Sequence, residues 1–508
     1  MVRPSFLGSK RPDKKGDKKK VDRNKIETLG DLRASGWRYR PVKQEIMENM
    51  VAKMNAGEPL FPGILGYDDT VIPEMENALL SGHDILILGE RGQAKSRIIR
   101  TLVGLLDEWM PAVAGCEILD NPFAPICREC RIRAVEMGDR LPIVWIPREE
   151  RFGEKLATPD VSVSDLIGDV DPIKVAEGRY LSDERVIHFG ILPRTNRGIF
   201  AINELPDLSE KVQVSLFNIL EEGDVQIKGF KVRLPLDILI VATANPEDYT
   251  HRGRIITPLK DRYASQVRTH YPTKREIETA IVEQEARLHI ASDYRVIVPG
   301  FIKEIITGLT FEARQCPEIN QSSGVSVRMS ISNYESVLAS AYKRAIRLHE
   351  PEVVPRITDL PAVFASSRGK IEIEYAGEDQ TEVEIIDRLL RRSIRAAFEH
   401  HFRIEDLEPV IRLFEAGAVM EVSADAPSGP YQELFQHLPA LKGALKSLGL
   451  GDSAAQMAAA AEFILEGLHL NQKLNKELRK EKTVYKISPP STRPRPAVKR
   501  ERSGEGFH

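Results

Sequence analysis

The eight residues from 89 to 96 have the composition and spacing of a phosphate-binding loop. In order they are Gly89, Glu90, Arg91, Gly92, Gln93, Ala94, Lys95 and Ser96. In such a loop, backbone N–H groups at a helix N-terminus surround the phosphate oxygens of a nucleotide. Lys95 would neutralise the β- and γ-phosphates, and the Ser96 hydroxyl would ligate Mg²⁺. Ala94 stands where the G-x-x-x-x-G-K-[ST] pattern has glycine, so a chance Lys-Ser pair at a helix start remains an alternative at this point.

Polar side chains at the ends of two further predicted strands could complete a hydrolysis site. Asn203 and Glu204 follow the apolar run 198–202, and Asn245 follows the run 236–244. Ligands of parallel α/β sheets bind at the carboxyl ends of strands. Glu204 would act as general base toward the attacking water, and Asn245 would orient that water through its amide. Asn203 would hold the Mg²⁺ water shell with an amide oxygen, which lacks the charge of the usual aspartate. Taken singly, each could be an ordinary strand end or turn.

The residues around the loop predict the elements that position it. Residues 84–88 are an apolar run typical of a buried strand, and apolar side chains recur at helical spacing from Ile98 to Leu106. A strand, a glycine-containing turn and a helix are the elements that a P-loop requires.

Length, composition and charge set limits on the kind of protein. The chain has 508 residues, of which 42% are hydrophobic and 29% charged, enough for two to four domains. No apolar run reaches the ~18 residues of a membrane span, and a cytoplasmic location is expected. Residues 1–24 and 478–508 each carry nine Lys/Arg against three acidic residues, so the remainder has a net charge of about −15. An acidic body argues against non-specific nucleic-acid binding.

Three cysteines raise the question of a zinc site. Cys127 and Cys130 have C-x₂-C spacing, and Cys116 could supply a third thiolate. The fourth ligand is missing from the sequence pattern, because Cys316 is distant and no histidine is near. Ordinary loop cysteines are therefore the alternative. The adjacent His400 and His401 do not share a helix face and are predicted to be a solvated or packed pair.

The ordered set of motifs resembles AAA+ ATPases. Within them, the chain is similar to the helix-2-insert group that includes the ATPase subunit of magnesium chelatase and the MoxR-type ATPases. The resemblance covers about residues 60–345. It is carried by the loop at 89–96, by Gly-Ile-Leu-Pro-Arg-Thr-Asn-Arg-Gly-Ile at 190–199, by Thr-Ala-Asn-Pro-Glu at 243–247 and by Leu-Lys-Asp-Arg-Tyr at 259–263.

This resemblance implies roles for individual residues. Asn245 would be sensor 1, and Arg328, at the start of a lid helix, would be sensor 2. Arg262 would be the arginine finger that reaches a neighbouring subunit's γ-phosphate, with Arg252 and Arg254 as rivals. A finger supplied in trans implies a homo-oligomeric ring, usually a hexamer.

The resemblance also implies a fold class and a domain order. The expected fold is α/β: a P-loop NTPase (AAA+) three-layer core with a parallel sheet, followed by an α-helical lid and a further helical C-terminal region. The predicted parts are a basic disordered tail (1–24), an N-terminal helical segment (25–60), the core (61–272) with an inserted hairpin at about 151–187, the lid (273–350), a mostly helical module (351–477) and a second basic disordered tail (478–508).

The function implied by the resemblance is ATP hydrolysis, with Mg²⁺, in a ring that remodels or activates a partner protein. The partner would carry a von Willebrand A domain. Two alternatives stay open: an ATP-binding conformational scaffold with little turnover, and a nucleic-acid motor or transcription activator of the same superfamily. Neither a Gly-Ala-Phe-Thr-Gly-Ala loop nor a helix-turn-helix signature is apparent in the sequence.

Overall fold

The computed structural model describes residues 23–171, 173, 186–227, 233–245, 253–321, 323–374, 381–437, 439–479 and 482–487. The chain divides into two compact units. The first contains Met1–Gly89 and Ala94–Thr269, and the second contains Glu90–Gln93 and His270–His508. Among the described residues, no helix is both long and apolar enough to cross a membrane.

The first unit is an α/β structure. Its strands are β1 (Ile85–Leu88), β2 (Trp109–Val113), β3 (Ile143–Pro147), β4 (Phe152–Leu156), β5 (Gly168–Val170), β6 (Ile187–Phe189), β7 (Gly198–Asn203), β8 (Asp224–Gln226), β9 (Arg233–Pro235), β10 (Ile238–Ala244) and β11 (Ser265–Arg268). Its helices are α1 (Leu29–Ala34), α2 (Val42–Ala56), α3 (Val71–Leu80), α4 (Lys95–Thr101), α5 (Arg128–Met137), α6 (Val163–Leu166), α7 (Ile191–Arg194), α8 (Glu210–Ser215), α9 (Phe217–Glu222) and α10 (Thr257–Arg262).

Five parallel strands form the central sheet, in the order β11-β1-β10-β7-β4. Every residue of β1, β7 and β10 is buried, as expected for parallel strands that are covered on both faces. Alternate side chains contribute to separate cores. Leu86 and Leu88 belong to the core on one face, whereas Ile85 and Ile87 belong to the core on the other. The predicted parallel α/β sheet is confirmed.

The prediction for residues 151–187 is corrected at its start. Residues 152–156 form β4, an edge strand of the central sheet, and the antiparallel hairpin consists of β5 and β6. The sequence did not indicate this strand, because Phe-Gly-Glu-Lys-Leu lacks the continuous apolar run of a buried strand. In the structure these residues are only partly buried. Residues 172 and 174–185 of the predicted hairpin lie outside the described part of the chain.

The second unit is mostly helical. Its helices are α11 (Arg275–Glu285), α12 (Gly300–Gln315), α13 (Val327–Leu348), α14 (Val363–Ser367), α15 (Glu382–His401), α16 (Glu408–Glu415), α17 (Gly429–His437), α18 (Pro439–Ser447) and α19 (Ala454–Leu470). Its strands are β12 (Arg295–Val296), β13 (Glu352–Val353), β14 (Met420–Val422), β15 (Asn475–Arg479) and β16 (Lys482–Lys486).

One hydrophobic core runs through this second unit. It includes buried side chains from Val282 to Tyr485, and the rings of Phe301 and Phe463 stack with centroids 4.1 Å apart. The segments predicted as a lid (273–350) and as a separate helical module (351–477) therefore share a core. Their apolar faces are complementary, which the spacing of apolar residues within either segment does not reveal.

The predicted disordered tail from residue 478 is wrong at its start. Residues 475–479 form β15 and residues 482–486 form β16, and both belong with β14 to a three-stranded antiparallel sheet. Val484 and Tyr485 are buried, and the Tyr485 hydroxyl donates a hydrogen bond to Glu466. The lysines on either side of these two residues concealed the strand in the sequence.

Candidate functional site

The phosphate-loop lysine and serine lie at the start of α4, directly after β1. Lys95 is the first residue of the helix and is buried, and its Nζ donates to the backbone oxygen of Gly89 and to Asn245 Oδ1, the latter at 2.5 Å. Ala94 precedes it with φ +56°, in the left-handed region that favours glycine. The predicted strand, turn and helix are therefore present, and the lysine ammonium is held among oxygen acceptors.

Asn203 lies beside the serine of the loop. Its Oδ1 accepts a hydrogen bond from Ser96 Oγ at 3.1 Å, and its Nδ2 donates to Glu154 Oε1 at 2.6 Å. Glu154 is on the neighbouring strand β4 and also accepts two hydrogen bonds from Arg100, each 3.0 Å long. Sequence reasoning missed Glu154, because a lone glutamate in an edge strand has no motif around it. Its carboxylate places a negative charge next to the uncharged Asn203.

Glu204 and Asn245 are in direct contact. Asn245 Nδ2 donates to Glu204 Oε2 at 2.6 Å, so the amide of Asn245 connects Glu204 to Lys95. Glu204 has φ +58°, and its N–H donates to Thr243 Oγ1 at 3.0 Å. A left-handed conformation in a residue with a side chain costs of order 1–3 kcal/mol and is found most often at functional sites.

Sheet register explains why these side chains meet. In β7 and β10, Ile202 is paired with Ala242, so Asn203 and Thr243 come next at the same edge. In β1 and β10, Leu88 is paired with Ala244, which precedes Asn245. The register of the sheet therefore brings these polar side chains together at the carboxyl ends of the strands, as predicted.

The remaining loop residues belong to the second unit. The N–H of Glu90 donates to Gln93 Oε1 at 3.0 Å, and the backbone oxygen of Arg91 accepts from the hydroxyl of Tyr271 at 2.9 Å. Gly92 has φ +76°, and a Cβ there would lie 1.9 Å from Ser326 Oγ, so only glycine fits.

Arg328 lies at the start of α13, as predicted. Its backbone N–H donates at 3.1 Å to Ser326, the N-cap of that helix, and the residue is exposed.

Arg262 is at the end of α10. Its guanidinium donates to Glu221 Oε2 at 2.9 and 2.5 Å, and it lies 4.5 Å from the centre of the Phe217 ring. The rival Arg254 is mostly exposed, 3.9 Å from Glu210. The other rival, Arg252, lies outside the described residues.

The motif at residues 190–199 has a structural role. Asn196 donates to the backbone oxygen of Ile118 and accepts from the N–H of Asp237, each at 3.0 Å. Arg197 is buried and donates to the backbone oxygen of Pro111 at 2.8 Å. Burial, assisted by the nearby charge of Arg151, lowers the pKa of Arg197 to about 10. This motif therefore fixes the entry to β7 and so positions Asn203 and Glu204.

The three cysteines of the predicted zinc site do come together, and Asp120 joins them. Hydrogen bonds from Cys127 and Cys130 lower the pKa of the Cys116 thiol, and burial together with Cys116 raises the pKa of Asp120 to about 6. Asp120 is the neighbour that the sequence pattern lacked.

His400 and His401 both contact Glu304, at 3.1 and 3.0 Å. They can do so because Glu304 is on another helix, α12, between the two rings. His400 is exposed and His401 is partly buried, and these contacts lower the pKa of Glu304 against the effect of burial.

The donor set at the strand ends fits a nucleotide with Mg²⁺. The Ser96 hydroxyl, the Asn203 amide and the Glu204 carboxylate are all oxygen ligands, which Mg²⁺ prefers. Lys95 is a buried ammonium that donates to the backbone oxygen of Gly89 and to the side-chain oxygen of Asn245. A phosphate oxygen is the natural additional acceptor at such a position.

Comparison with known proteins gives matches of three kinds: a family model, related sequences and solved structures. A family model described as the Sigma-54 interaction domain matches residues 176–262. The magnesium-chelatase 38 kDa subunit of Rhodobacter capsulatus is 27% identical over 229 residues, which is 44% of this chain and 59% of that protein. The chloroplastic magnesium-chelatase subunit ChlI-1 of Arabidopsis thaliana is 24% identical over 251 residues, which is 47% of this chain and 56% of that protein. The chain thus spans little more than half the length of these relatives.

One of the solved structures that match this chain is a complex between subunits BchI and BchD of magnesium chelatase. It matches with 20% identity and a TM-score of 0.32, over 64% of this chain and 97% of the other.

Together, the parallel sheet, the loop between β1 and α4 and the polar strand ends have the architecture of a P-loop fold of the AAA+ type. The chain resembles the ATPase subunit of magnesium chelatase, and the resemblance predicted from the motifs is confirmed.

Proposed function

We propose that this protein binds ATP with Mg²⁺ and hydrolyses it at the site formed by Lys95, Ser96, Asn203, Glu204 and Asn245. The observation that carries the proposal is the pair of hydrogen bonds of Asn245, one to the buried Lys95 and one to Glu204. A lysine for the phosphates and a carboxylate for water are thereby held on either side of one amide.

Each side chain has a defined task in this proposal. Lys95 binds the β- and γ-phosphate oxygens, and Ser96 and Asn203 hold the metal and its waters. Mg²⁺, when bound, neutralises charge that develops on the phosphates. Glu204 accepts the proton of the attacking water, while Asn245 holds that carboxylate through its amide N–H. A nucleotide would replace the contact of Lys95 with Asn245 and thus change how Asn245 holds Glu204.

The test is steady-state phosphate release by the full-length protein and by Glu204→Gln. We expect Glu204→Gln to lower kcat by roughly 10²–10⁴-fold, as removal of a general base does, and to keep nucleotide binding. The matched control is Glu222→Gln, at an exposed position at the end of α9, which should retain wild-type turnover. Lys95→Ala should lose nucleotide binding.

The same assay separates hydrolysis from a scaffold with little turnover. Ala94 and Asn203, which replace the usual glycine and aspartate, are the residues that favour the scaffold. Nucleotide binding without phosphate release by the wild type, under conditions in which rings form, would sink the ATPase proposal.

We extend the proposal to a ring that acts on a partner protein. Arg262 would supply the arginine finger to the neighbouring subunit, and Arg328 would act as sensor 2 from the lid. The matched relatives are subunits of magnesium chelatase, and BchI forms a complex with BchD. By analogy, the partner would be a protein with a von Willebrand A domain, and the site of action the cytoplasm. Affinity capture with Glu204→Gln, with and without ATP, should retain such a partner only when ATP is present.

The Sigma-54 interaction domain match at residues 176–262 favours a second candidate, a transcription activator. In that case, phosphate release would be stimulated by promoter DNA with sigma-54 RNA polymerase. No stimulation, together with ATP-dependent capture of a different protein, would leave the chelatase-like function as the better account.

A further inference from the structure

The connection between β2 and α5 brings together three thiols and one carboxylate. Cys116 follows β2, Cys127 is the N-cap of α5, and Cys130 is in the first turn of that helix. Asp120, between them, is fully buried, as Cys127 and Cys130 nearly are. One ligand atom from each of the four residues lies within 4.8 Å of all the others.

These separations suit one tetrahedral ion. Zinc binds thiolate sulfur at about 2.3 Å, so the sulfurs of a tetrahedral site lie roughly 3.8 Å apart. The ligand atoms here lie within 4.8 Å of one another, and small side-chain shifts would bring them to that separation. The thiolates of a four-iron cluster stand farther apart, because each binds a different iron. A soft, sulfur-rich set also selects zinc over Mg²⁺ or Ca²⁺.

Backbone groups hold two of the ligands in place. The N–H of Cys130 donates to Cys127 Sγ at 3.3 Å, which fixes the position of that sulfur. Asp120 accepts the N–H groups of Ile126 and Cys127 at 3.1 and 3.0 Å, one on each oxygen. Each carboxylate oxygen keeps a further lone pair for a metal. Such outer hydrogen bonds orient metal ligands.

We infer that Cys116, Asp120, Cys127 and Cys130 bind one zinc ion. Four protein ligands leave no open position, so the site is structural. The cysteines pack with Leu29 of α1 and with Leu141, just before β3. Zinc therefore fixes the 114–127 connection against the N-terminal helical segment. The inference is independent of the nucleotide site, since none of its residues contributes to that site.

The first experiment measures metal content of the full-length protein purified from zinc-supplemented cells. Elemental analysis should find close to one zinc per chain in the wild type, and a loss of at least about tenfold in Cys127→Ser and Cys130→Ser. Cys316→Ser is the matched control. It removes a buried cysteine of the second unit and should keep the zinc.

The second experiment starts from the wild-type protein, so its main result does not require a variant to fold. Zinc is removed from the wild type with a chelator, and Co²⁺ is titrated in. Sulfur-to-cobalt charge-transfer bands and the intense visible bands of a tetrahedral site are expected at one equivalent, and zinc should abolish them. Asp120→Asn should keep the sulfur bands and weaken zinc binding by at least about 10-fold, since even the loss of an outer hydrogen-bond partner of a metal ligand has that effect.

Three results would overturn the inference. The first is wild-type protein that holds less than a tenth of an equivalent of zinc and gives no cobalt bands. The second is iron in place of zinc. The third is a disulfide between two of these cysteines in protein purified under reducing conditions, shown by mass spectrometry after alkylation.

Discussion

Two residues of the proposed nucleotide site adopt a backbone conformation that usually belongs to glycine. Ala94 and Glu204 have φ values of +56° and +58°. For Glu204, this turn directs the carboxylate to Asn245 Nδ2, 2.6 Å away. For Ala94, the conformation begins α4 at the lysine. The departure of Ala94 from the motif is therefore more than one added methyl group, because that methyl also strains the backbone by roughly 1–2 kcal/mol.

Replacement of Ala94 by glycine should therefore cost less stability than replacement of an alanine within a helix. We expect Ala94→Gly to leave the free energy of unfolding unchanged or to raise it by up to about 1 kcal/mol, because strain relief offsets the entropy of glycine. Ala52→Gly, at an exposed position within α2, should lose about 0.5–1 kcal/mol. Urea unfolding of both variants measures the difference. Equal losses would show that the left-handed turn at Ala94 is not strained.

Sequence patterns identified the residues that lie in motifs but not their neighbours in space. The loop, Asn203, Glu204 and Asn245 could be predicted because each follows an apolar strand. Glu154 and Asp120 could not be predicted, since the first reaches Asn203 through sheet pairing and the second reaches the cysteines through a folded loop. Such contacts depend on tertiary structure that spacing does not encode.

At the scale of elements, prediction succeeded where a segment is buried on both faces. Strands β1, β7 and β10 are continuous apolar runs and could be identified from the sequence. Strands β4 and β16 could not, because each shows only a few apolar side chains to a core and has charged residues between or beside them. Edge and short antiparallel strands carry this weaker pattern generally.

The contact between α15 and α19 shows how closely the elements of the second unit approach. A Cβ on Gly467 of α19 would lie 1.9 Å from the buried ring of Phe398 on α15. That ring also packs against Phe402 and Phe463, with centroids 5.6 and 6.0 Å away. Phe398 therefore cannot move aside without disturbing the common core, and Gly467 is required for the two helices to approach.

We expect Gly467→Ala to destabilise the second unit by about 1–3 kcal/mol, the range for overpacked cores. The measurement is hydrogen exchange of peptides from α15 and α19 in the full-length protein, which reports the free energy of local opening. Gly443→Ala is the control, because nothing lies within 4 Å of a Cβ at that helical position. That variant should be neutral or stabilised by up to about 1 kcal/mol. Equal exchange in the two variants would contradict the packing argument.

At the scale of the whole molecule, the phosphate loop takes part in both units. Gly89, Ala94, Lys95 and Ser96 belong to the first, and residues 90–93 belong to the second. Gly92 is restricted to glycine by Ser326, the N-cap of the helix that carries Arg328. Within the second unit, the helix that carries the predicted sensor 2 therefore begins beside Gly92.

The ring proposal makes a quantitative prediction about mixed subunits. If Arg262 acts on the site of a neighbour, Glu204→Gln chains still supply a finger and Arg262→Ala chains still supply a base. Each variant alone should be nearly inactive. In randomly mixed rings, about a quarter of the interfaces join an intact site to an intact finger. Rings that contain both variants, obtained by co-expression and purification through a tag on each, should therefore recover about a quarter of wild-type phosphate release. To reach a neighbouring site, the Arg262 guanidinium would have to leave Glu221. The free energy needed to break this ion pair is small, because the pair is partly exposed.

The control for this experiment replaces Arg262→Ala with Arg254→Ala, whose mostly exposed side chain lies 3.9 Å from Glu210. Arg254→Ala alone should retain turnover if Arg262 is the finger. A mixture of Glu204→Gln and Arg262→Ala that is no more active than either variant alone would instead place the action of Arg262 within its own subunit. The ion pair with Glu221 would then be its function, a contact between α10 and α9 that stabilises the core.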